Sequence, residues 1–488
     1  MTRWDAMKKD SFTLALFVLL VAIVFARLAL LNQYPLIGTT EPRYAELARQ
    51  MLVRDDWVTL WVSDGVPLWG KPPLLFWLDA MSMMVLGVNE FALRLPTFIA
   101  SLLTIGLLWF WSKPYPAWPA GQSMLSALIA SLIYISTPFG FFAAGFVATD
   151  IFLTLGLTLS MVGFWRAVDC EKTNVWHWGF FVGMAIGLLA KGPLALVLLG
   201  FALFLWMMIS PKARLTLIWQ RLPWLRGLLL MALIAFPWYI WAEIRTPGFL
   251  YHFIIGEHFE RFFVKDWAGG RFAASHGEPL GMIWWFAIES FMPWLLLTVP
   301  AIYFAWRGKT FTAFKNISSE AQYLLCWIFS PLLLFTPARN ILEAYMLPAL
   351  PAFTLLMSHL VLRLIRRNCV WRWSLLFAAP APLVVVIVVI FFNPVLDKQS
   401  QKHLLQNWAP GTPLVYIGKV PPSAAFYTNN QAIDSPSLTE LETELQAKPL
   451  QKPTTVVMHQ TAFNDMTARQ KTQWPIVETY GEYVMLRK

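Results

Sequence analysis

Charge is scarce in this chain. Of its 488 residues only 14% are Asp, Glu, Lys or Arg, where an ordinary soluble domain carries about a quarter. Hydrophobic residues make up 57% and the mean hydropathy is +0.54, which excludes an ordinary soluble globular protein. Cysteine is scarce as well. Cys170, Cys326 and Cys369 are far apart and form no CxxC, which excludes a disulfide framework and a zinc spacing. No Gly-rich phosphate loop occurs, so nothing calls for a nucleotide site. No internal repeat or low-complexity tract is evident. No small-x-small cleavage site follows the first apolar run, at about 12–31, so this run reads as a retained span rather than a removed signal.

What the chain has instead is long apolar runs edged by aromatic residues. The 26 Trp and 37 Phe cluster at the ends of these runs, where amphipathic rings favour the headgroup zone. Eleven runs approach the roughly 20 residues needed to cross a bilayer: about 12–31, 90–111, 123–142, 150–166, 177–190, 192–209, 226–243, 281–304, 319–336, 344–361 and 373–393. Two are short, so up to 13 spans are allowed for. The fold class expected is an α-helical polytopic membrane protein with a small C-terminal α/β extramembrane unit.

The formal net charge of +10 would suggest nucleic acid in a soluble protein. Here it is explained by topology, and no nucleic acid is expected. With Arg3, Lys8 and Lys9 holding the N-terminus in the cytoplasm, alternation puts the basic segments on that side: 166–172, 212–226, 307–315 and 363–372. An odd number of spans then leaves the C-terminus outside. Two long outer loops result, about 32–89 and 244–280, within a membrane region of 1–393. In the first, Thr40 or Glu41 can cap a helix with Pro42 at its first position. Tyr44, Leu47, Ala48, Met51 and Leu52 then follow at helical spacing, as in an amphipathic helix lying on the outer surface. From 394 to 488 the composition turns polar. Short apolar strands at 414–417 and 455–458, a helix at 437–447 and a last strand at 480–486 read as a small α/β unit.

The informative residues break the charge rule. Arg43, Lys71, Lys191, Arg245, Arg261, Lys265, Arg271 and Arg339 fall on the outer side or at its boundary. Charge beside a bilayer is costly unless paired or functional. A group of outer cations points to an anion, phosphate first, because Arg offers a fork of donors and Lys a point charge. Each position also has a plainer reading. Glu41 can be a helix-terminal acid with Arg43 paired to Glu46. Lys71 in Gly70-Lys71-Pro72-Pro73 and Lys191 can snorkel. Thr149-Asp150 can cap a span, and Glu257 or Glu260 can pair with Arg261. Arg339 and Tyr345 can be an ordinary loop Arg and an interfacial Tyr. The convergence of all of them on one membrane face favours the anion site.

Glu41-x-Arg43-Tyr44-Ala45-Glu46, Gly70-Lys71-Pro72, Thr149-Asp150, Lys191-Gly192-Pro193, Glu257-His258-x-x-Arg261-Phe262 and Tyr345-x-Leu347-Pro348 occur in one order. In this the chain resembles the GT-C glycosyltransferases, in the branch of the lipid A aminoarabinose transferase and the protein O-mannosyltransferases. The resemblance covers about 10–360. It implies a multispan bundle in a bacterial-type inner membrane and a cavity between two outer loops. It implies a polyprenyl (undecaprenyl) phosphate sugar donor and an outer-side acceptor: lipid A, another envelope glycan or a protein. It implies donor phosphate contacts from Arg43, Lys71, Lys191, Arg261 and Tyr345, and substrate contacts from Tyr44, His258 and Arg339. The family has Asp-Glu where this chain has Thr40-Glu41, so the base expected is Glu41 or Asp150. The lipid A branch has Glu, a metal contact, where this chain has Gly70, so no divalent metal or other cofactor is called for. Two alternatives share the spans and cations: a transporter or flippase of a polyprenyl-linked glycan, and a non-catalytic assembly or sensor protein.

Overall fold

The computed structural model describes residues 3–488 apart from 64, 113–119, 169–172, 211–214, 261–276, 300–317, 448–452 and most of 368–397. Ten of the eleven apolar runs coincide with helices; the eleventh, 373–393, falls largely outside the described residues. Among the described residues five helices are long and apolar enough to cross a membrane: Ser11–Leu30, Glu90–Trp111, Asp150–Val168, Trp224–Arg245 and Glu343–Leu362, with shorter apolar helices packed among them. Such segments are helical because hydrocarbon offers backbone amides no partner outside the segment itself.

The first helices of the chain are α1 (Arg3–Leu30), α2 (Thr40–Arg54), α3 (Leu74–Leu86), α4 (Glu90–Trp111), α5 (Ala120–Ser136), α6 (Pro138–Ala143), α7 (Asp150–Val168) and α8 (Val175–Lys191). Prolines divide the runs differently from the hydropathy reading. The run at 123–142 is two helices because Pro138 opens a new one behind the Thr137 cap, as proline at a first turn does. In the run at 281–304 the helix Met282–Phe291 is followed by a 3₁₀ turn at Trp294–Leu297 behind Pro293. The run at 344–361 opens as a 3₁₀ segment, Glu343–Ala349, containing Pro348. That places Tyr345 on the narrower turn at the N-terminal end of the span.

The antiparallel hairpin of α7 and α8 is the tightest helix pair. A Cβ on Gly183 would lie 2.4 Å from the Gly156 carbonyl oxygen, so only hydrogen at both positions allows this approach. The hairpin brings the first residue of α7, Asp150, beside the last residue of α8, Lys191.

The first outer loop departs from expectation in two ways. It holds an apolar 13-residue helix, α3. And α2 does not lie on a surface: Glu41 and Pro42 are buried, as is every residue from Tyr44 to Met51. Its charges allow this because they satisfy one another. Arg49 holds Glu46 through two 2.7 Å bonds, and Gln50 donates to the same carboxylate at 2.7 Å. Glu46 is thus a partner of Arg49. The helix also begins at Thr40, which puts Pro42 at the third position, where the missing N–H is still one of the four without an intrahelical acceptor.

Residues 414–487 form a five-stranded sheet from β3 (Leu414–Ile417), β4 (Ile433–Ser435), β5 (Thr455–His459), β6 (Ile476–Tyr480) and β7 (Tyr483–Arg487), after a two-stranded ribbon of β1 (Trp61–Ser63) and β2 (Val66–Pro67) in the first loop. The order is β4-β3-β5-β7-β6, with β4, β3 and β5 parallel and β7 and β6 antiparallel. The expected last strand at 480–486 is a hairpin: Gly481, at φ +61°, and Glu482 form its turn. The inner strands are apolar on both faces. Leu414, Tyr416, Val457 and Met485 pack on one side, and Val415, Val456, Val484 and Leu486 on the other, as in a sheet covered by helices twice. From the short helix Pro422–Tyr427, Phe426 joins the core of the membrane bundle.

Candidate functional site

The two long loops, 32–89 and 244–280, meet. The Trp69 indole N–H donates to the Thr246 hydroxyl at 3.2 Å, and its ring lies 5.6 Å from that of His252. Beneath this contact is a hollow walled by Gly70, Lys71 and Pro72 of the first loop, Phe253, Glu257 and His258 of the second, Lys191 and Leu194 at the turn after α8, and Tyr345. Four residues from separate motifs therefore share one space: Lys71, Lys191, His258 and Tyr345.

Lys191 is its centre. Nζ lies 2.6 Å from the Asp150 carboxylate, with both side chains nearly buried, and 4.7 Å above the Tyr345 ring. The ion pair and the aromatic face together hold the ammonium where it would otherwise be expensive. Tyr345 is packed in turn against Phe335, centroids 4.9 Å apart. Gly192, next to Lys191, has φ +76°, and a Cβ there would lie 2.5 and 2.7 Å from Phe253 ring atoms. Gly192→Ala is expected to lower stability by about 1–3 kcal/mol through backbone strain and overpacking against Phe253, read by thermal unfolding.

His258 Nδ1 donates to the Phe253 carbonyl at 2.7 Å, and Nε2 faces the Lys191 carbonyl at 3.3 Å. Burial pushes its pKa down and the Lys71 charge adds to this, against the opposing pull of the two carbonyls and Glu257. The native ring is therefore neutral near pH 7. An unfolded chain takes up this proton near pH 6.5, so the stability from a neutral His258 is complete above that pH and is lost as acid drives protonation. The melting temperature of the wild type should fall between about pH 6.5 and 5, and His258→Gln should flatten that slope.

Glu41, expected as a base, is held in a network of donors. Its side chain is fully buried, and Arg94 grips both carboxylate oxygens at 2.8 Å. The Ile37 and Val147 backbone N–H groups add bonds of 3.0 and 3.4 Å. With four donors on it and no exposure, this carboxylate ties the first loop to the segment leading into Asp150. Arg94 also donates to the carbonyls of Leu31, Tyr34 and Pro35 at 2.8–2.9 Å and lies 3.8 Å over the Tyr34 ring. Arg27, equally buried, reaches the Tyr34 hydroxyl at 3.1 Å and the Phe142 carbonyl at 3.2 Å. Sequence reading passed over both arginines. The signal was there: each is a charge inside an apolar run, and Arg94 follows Glu90 by one helical turn.

The other expected residues are divided. Arg43 and Tyr44 sit on α2, not in the wall of the hollow. The Arg43 guanidinium lies 5.5 Å from the Tyr44 ring, and Tyr44 packs edge-on against Phe76 at 5.3 Å. Arg339 is exposed, and what it supplies is its carbonyl, which accepts from Glu278 N–H at 2.9 Å. Arg261, Lys265 and Arg271 lie outside the described residues. Gly70 leaves room that the Glu257 carboxylate occupies, 3.2 Å from where a Cβ would stand.

A helical membrane bundle with a cationic hollow under two joined outer loops is the architecture of a GT-C membrane protein. Residues 11–253 match the family model of the dolichyl-phosphate-mannose-protein mannosyltransferases. The chain is 29% identical over 325 residues to the undecaprenyl phosphate-alpha-4-amino-4-deoxy-L-arabinose arabinosyl transferase of Erwinia tasmaniensis, a match covering 65% of this chain and 54% of that protein. It is 28% identical over 356 residues to the transferase of the same name from Pectobacterium atrosepticum, covering 72% and 60%. The chain thus spans between 54% and 60% of the length of these relatives. In fold it is similar to the crystal structure of ArnT from Cupriavidus metallidurans bound to undecaprenyl phosphate, with a TM-score of 0.73 at 18% identity over 96% of this chain and 97% of that one. The chain has the GT-C membrane fold, and it is a multi-pass membrane protein.

Proposed function

We propose that this protein transfers a sugar from a polyprenyl-phosphate donor to an acceptor in the bacterial envelope, on the outer face of the inner membrane. One observation carries the reading: Lys71, Lys191 and Tyr345, from three distant stretches of chain, wall one hollow. A lipid phosphate entering it meets two ammonium groups and a phenol. The N-terminus is cytoplasmic in this reading, and residues 394–488 form an outer-side unit.

The chemistry follows from the leaving group. When the anomeric C–O bond breaks, the electron pair goes to the phosphate oxygen, whose charge needs cations rather than a protonating acid. Lys191 and Lys71 supply them, and the Tyr345 hydroxyl adds a donor. Asp150 holds Lys191 in place and, as the carboxylate paired with the central cation, is the group assigned to receive the acceptor proton. Glu41 shapes the loop. The family resemblance assigns donor contacts to Arg43 and Arg261 and a substrate contact to Tyr44 as well. Attack from the face opposite the phosphate inverts the anomeric centre. The relatives' names support an aminoarabinose-like pentose on undecaprenyl phosphate as donor and lipid A as acceptor.

The test is direct. Purified protein in lipid nanodiscs is given undecaprenyl-phosphate aminoarabinose and lipid A, and products are read by mass spectrometry. The expected product is lipid A heavier by one aminopentose. No product with this donor, or with hexose-bearing polyprenyl phosphates and envelope acceptors, would refute the transferase reading.

A further inference from the structure

Leu36 lies in the turn between α1 and α2, and its neighbours are held from inside the membrane bundle. Arg94 takes the carbonyls of Leu31, Tyr34 and Pro35, and Glu41 takes the N–H of Ile37. The N–H of Leu36 is held from elsewhere in the chain: it donates at 2.8 Å to the hydroxyl of Tyr427, 391 residues away. The same hydroxyl donates to Glu90 at 2.9 Å, and Lys402 pairs with Glu90 at 2.5 Å. Glu90 and Arg94 are one turn apart on α4. Thus one short helix, Pro422–Tyr427, closes a ring of bonds running Tyr427, Glu90, α4, Arg94, Glu41, Ile37, Leu36 and back to Tyr427. Phe426 anchors that helix in the core of the membrane bundle, and the helix packs along α2.

The ring leads to the hollow. Glu41 lies in the first turn of α2, just ahead of Pro42, Arg43 and Tyr44, and it holds the N–H of Val147, three residues before Asp150. Asp150 holds Lys191. Losing the Tyr427 hydroxyl would leave the Leu36 N–H without its acceptor, and a buried backbone donor normally finds one. The turn and the first residues of α2 would then be free to shift against α4.

We infer that Tyr427, supported by Lys402, is a positioning residue for the sugar-transfer site: the C-terminal unit sets the first outer loop, and through it Arg43 and Asp150, against the hollow. This rests on the transferase reading, but the bracing can be measured without it.

The experiment compares wild type, Tyr427→Phe and Lys402→Gln as full-length protein in nanodiscs. Phe keeps the ring packing, so folding is retained, which thermal unfolding verifies. Hydrogen exchange is followed in peptides covering 31–44 and in the strands 414–417 and 455–459. Turnover is measured with the undecaprenyl-phosphate aminoarabinose and lipid A used above. Tyr427→Phe should speed exchange in 31–44 while leaving the strands unchanged. It should lower kcat by about tenfold with donor KM within about twofold. Lys402→Gln should do the same more weakly. Unchanged exchange in 31–44, or faster exchange with full kcat, overturns the inference. A wild type that transfers no sugar, with exchange in 31–44 still dependent on Tyr427, sinks the transferase reading and leaves the brace standing.

Discussion

Lys191→Ala should lower kcat by about two to three orders of magnitude, the usual effect of removing one preorganised stabiliser of developing negative charge. The loss should fall on turnover more than on donor affinity, because Lys71 and Tyr345 remain in the wall to hold the ground-state phosphate. Stability should fall too. Asp150 is nearly buried, and without Lys191 its carboxylate is left uncompensated, which costs about 3–5 kcal/mol where one partner of a buried pair is deleted. A double-mutant cycle separates the effects. Asp150→Ala combined with Lys191→Ala should be less destabilising than the sum of the single changes, yet no more active than Lys191→Ala. Transfer by Lys191→Ala at the wild-type rate would remove Lys191 from the proposed mechanism.

Arg94→Ala should have the largest effect on folding. Arg94 and Glu41 are both fully buried and bonded in bidentate fashion, and deleting the cation would strand the carboxylate for about 3–5 kcal/mol. Three backbone carbonyls would lose a donor at the same time. Arg94→Lys should rescue little, because one ammonium cannot reproduce a planar fork of five donors. Glu41→Gln tests the same network from the other side. It should lower stability while leaving the pH profile of residual turnover unchanged, because Glu41 accepts no proton from substrate in this reading. A Glu41→Gln enzyme of native stability that has lost one limb of its pH profile would restore Glu41 as base. Thermal unfolding in detergent and initial rates across pH supply both measurements.

The helical, multispan character of the chain was legible without a structure, because apolar composition acts locally. Each run must satisfy its own backbone in hydrocarbon, so ten of eleven could be located from residues alone. Their internal breaks were harder to see. Pro138 and Pro293 were visible, but hydropathy averages over them, whereas the backbone responds to the missing N–H. Charge out of place pointed to Lys71 and Lys191, because a cation at a bilayer edge needs a reason wherever it occurs.

The partners of those charges were not legible. Glu41 with Arg94, 53 residues apart, Asp150 with Lys191, 41 apart, and Leu36 with Tyr427, 391 apart, are products of helix packing. Nothing local distinguishes Glu46, which binds Arg49, from Glu41, which crosses to α4. The sequence by itself determined that this is a helical, multispan membrane protein. Only the tertiary structure decided that Lys71, Lys191, His258 and Tyr345 share a hollow and that Glu41 lies walled in beneath the first loop. The physical reason is range: hydrophobicity and helix formation are settled within a few turns of chain, whereas an ion pair is settled by which helices touch.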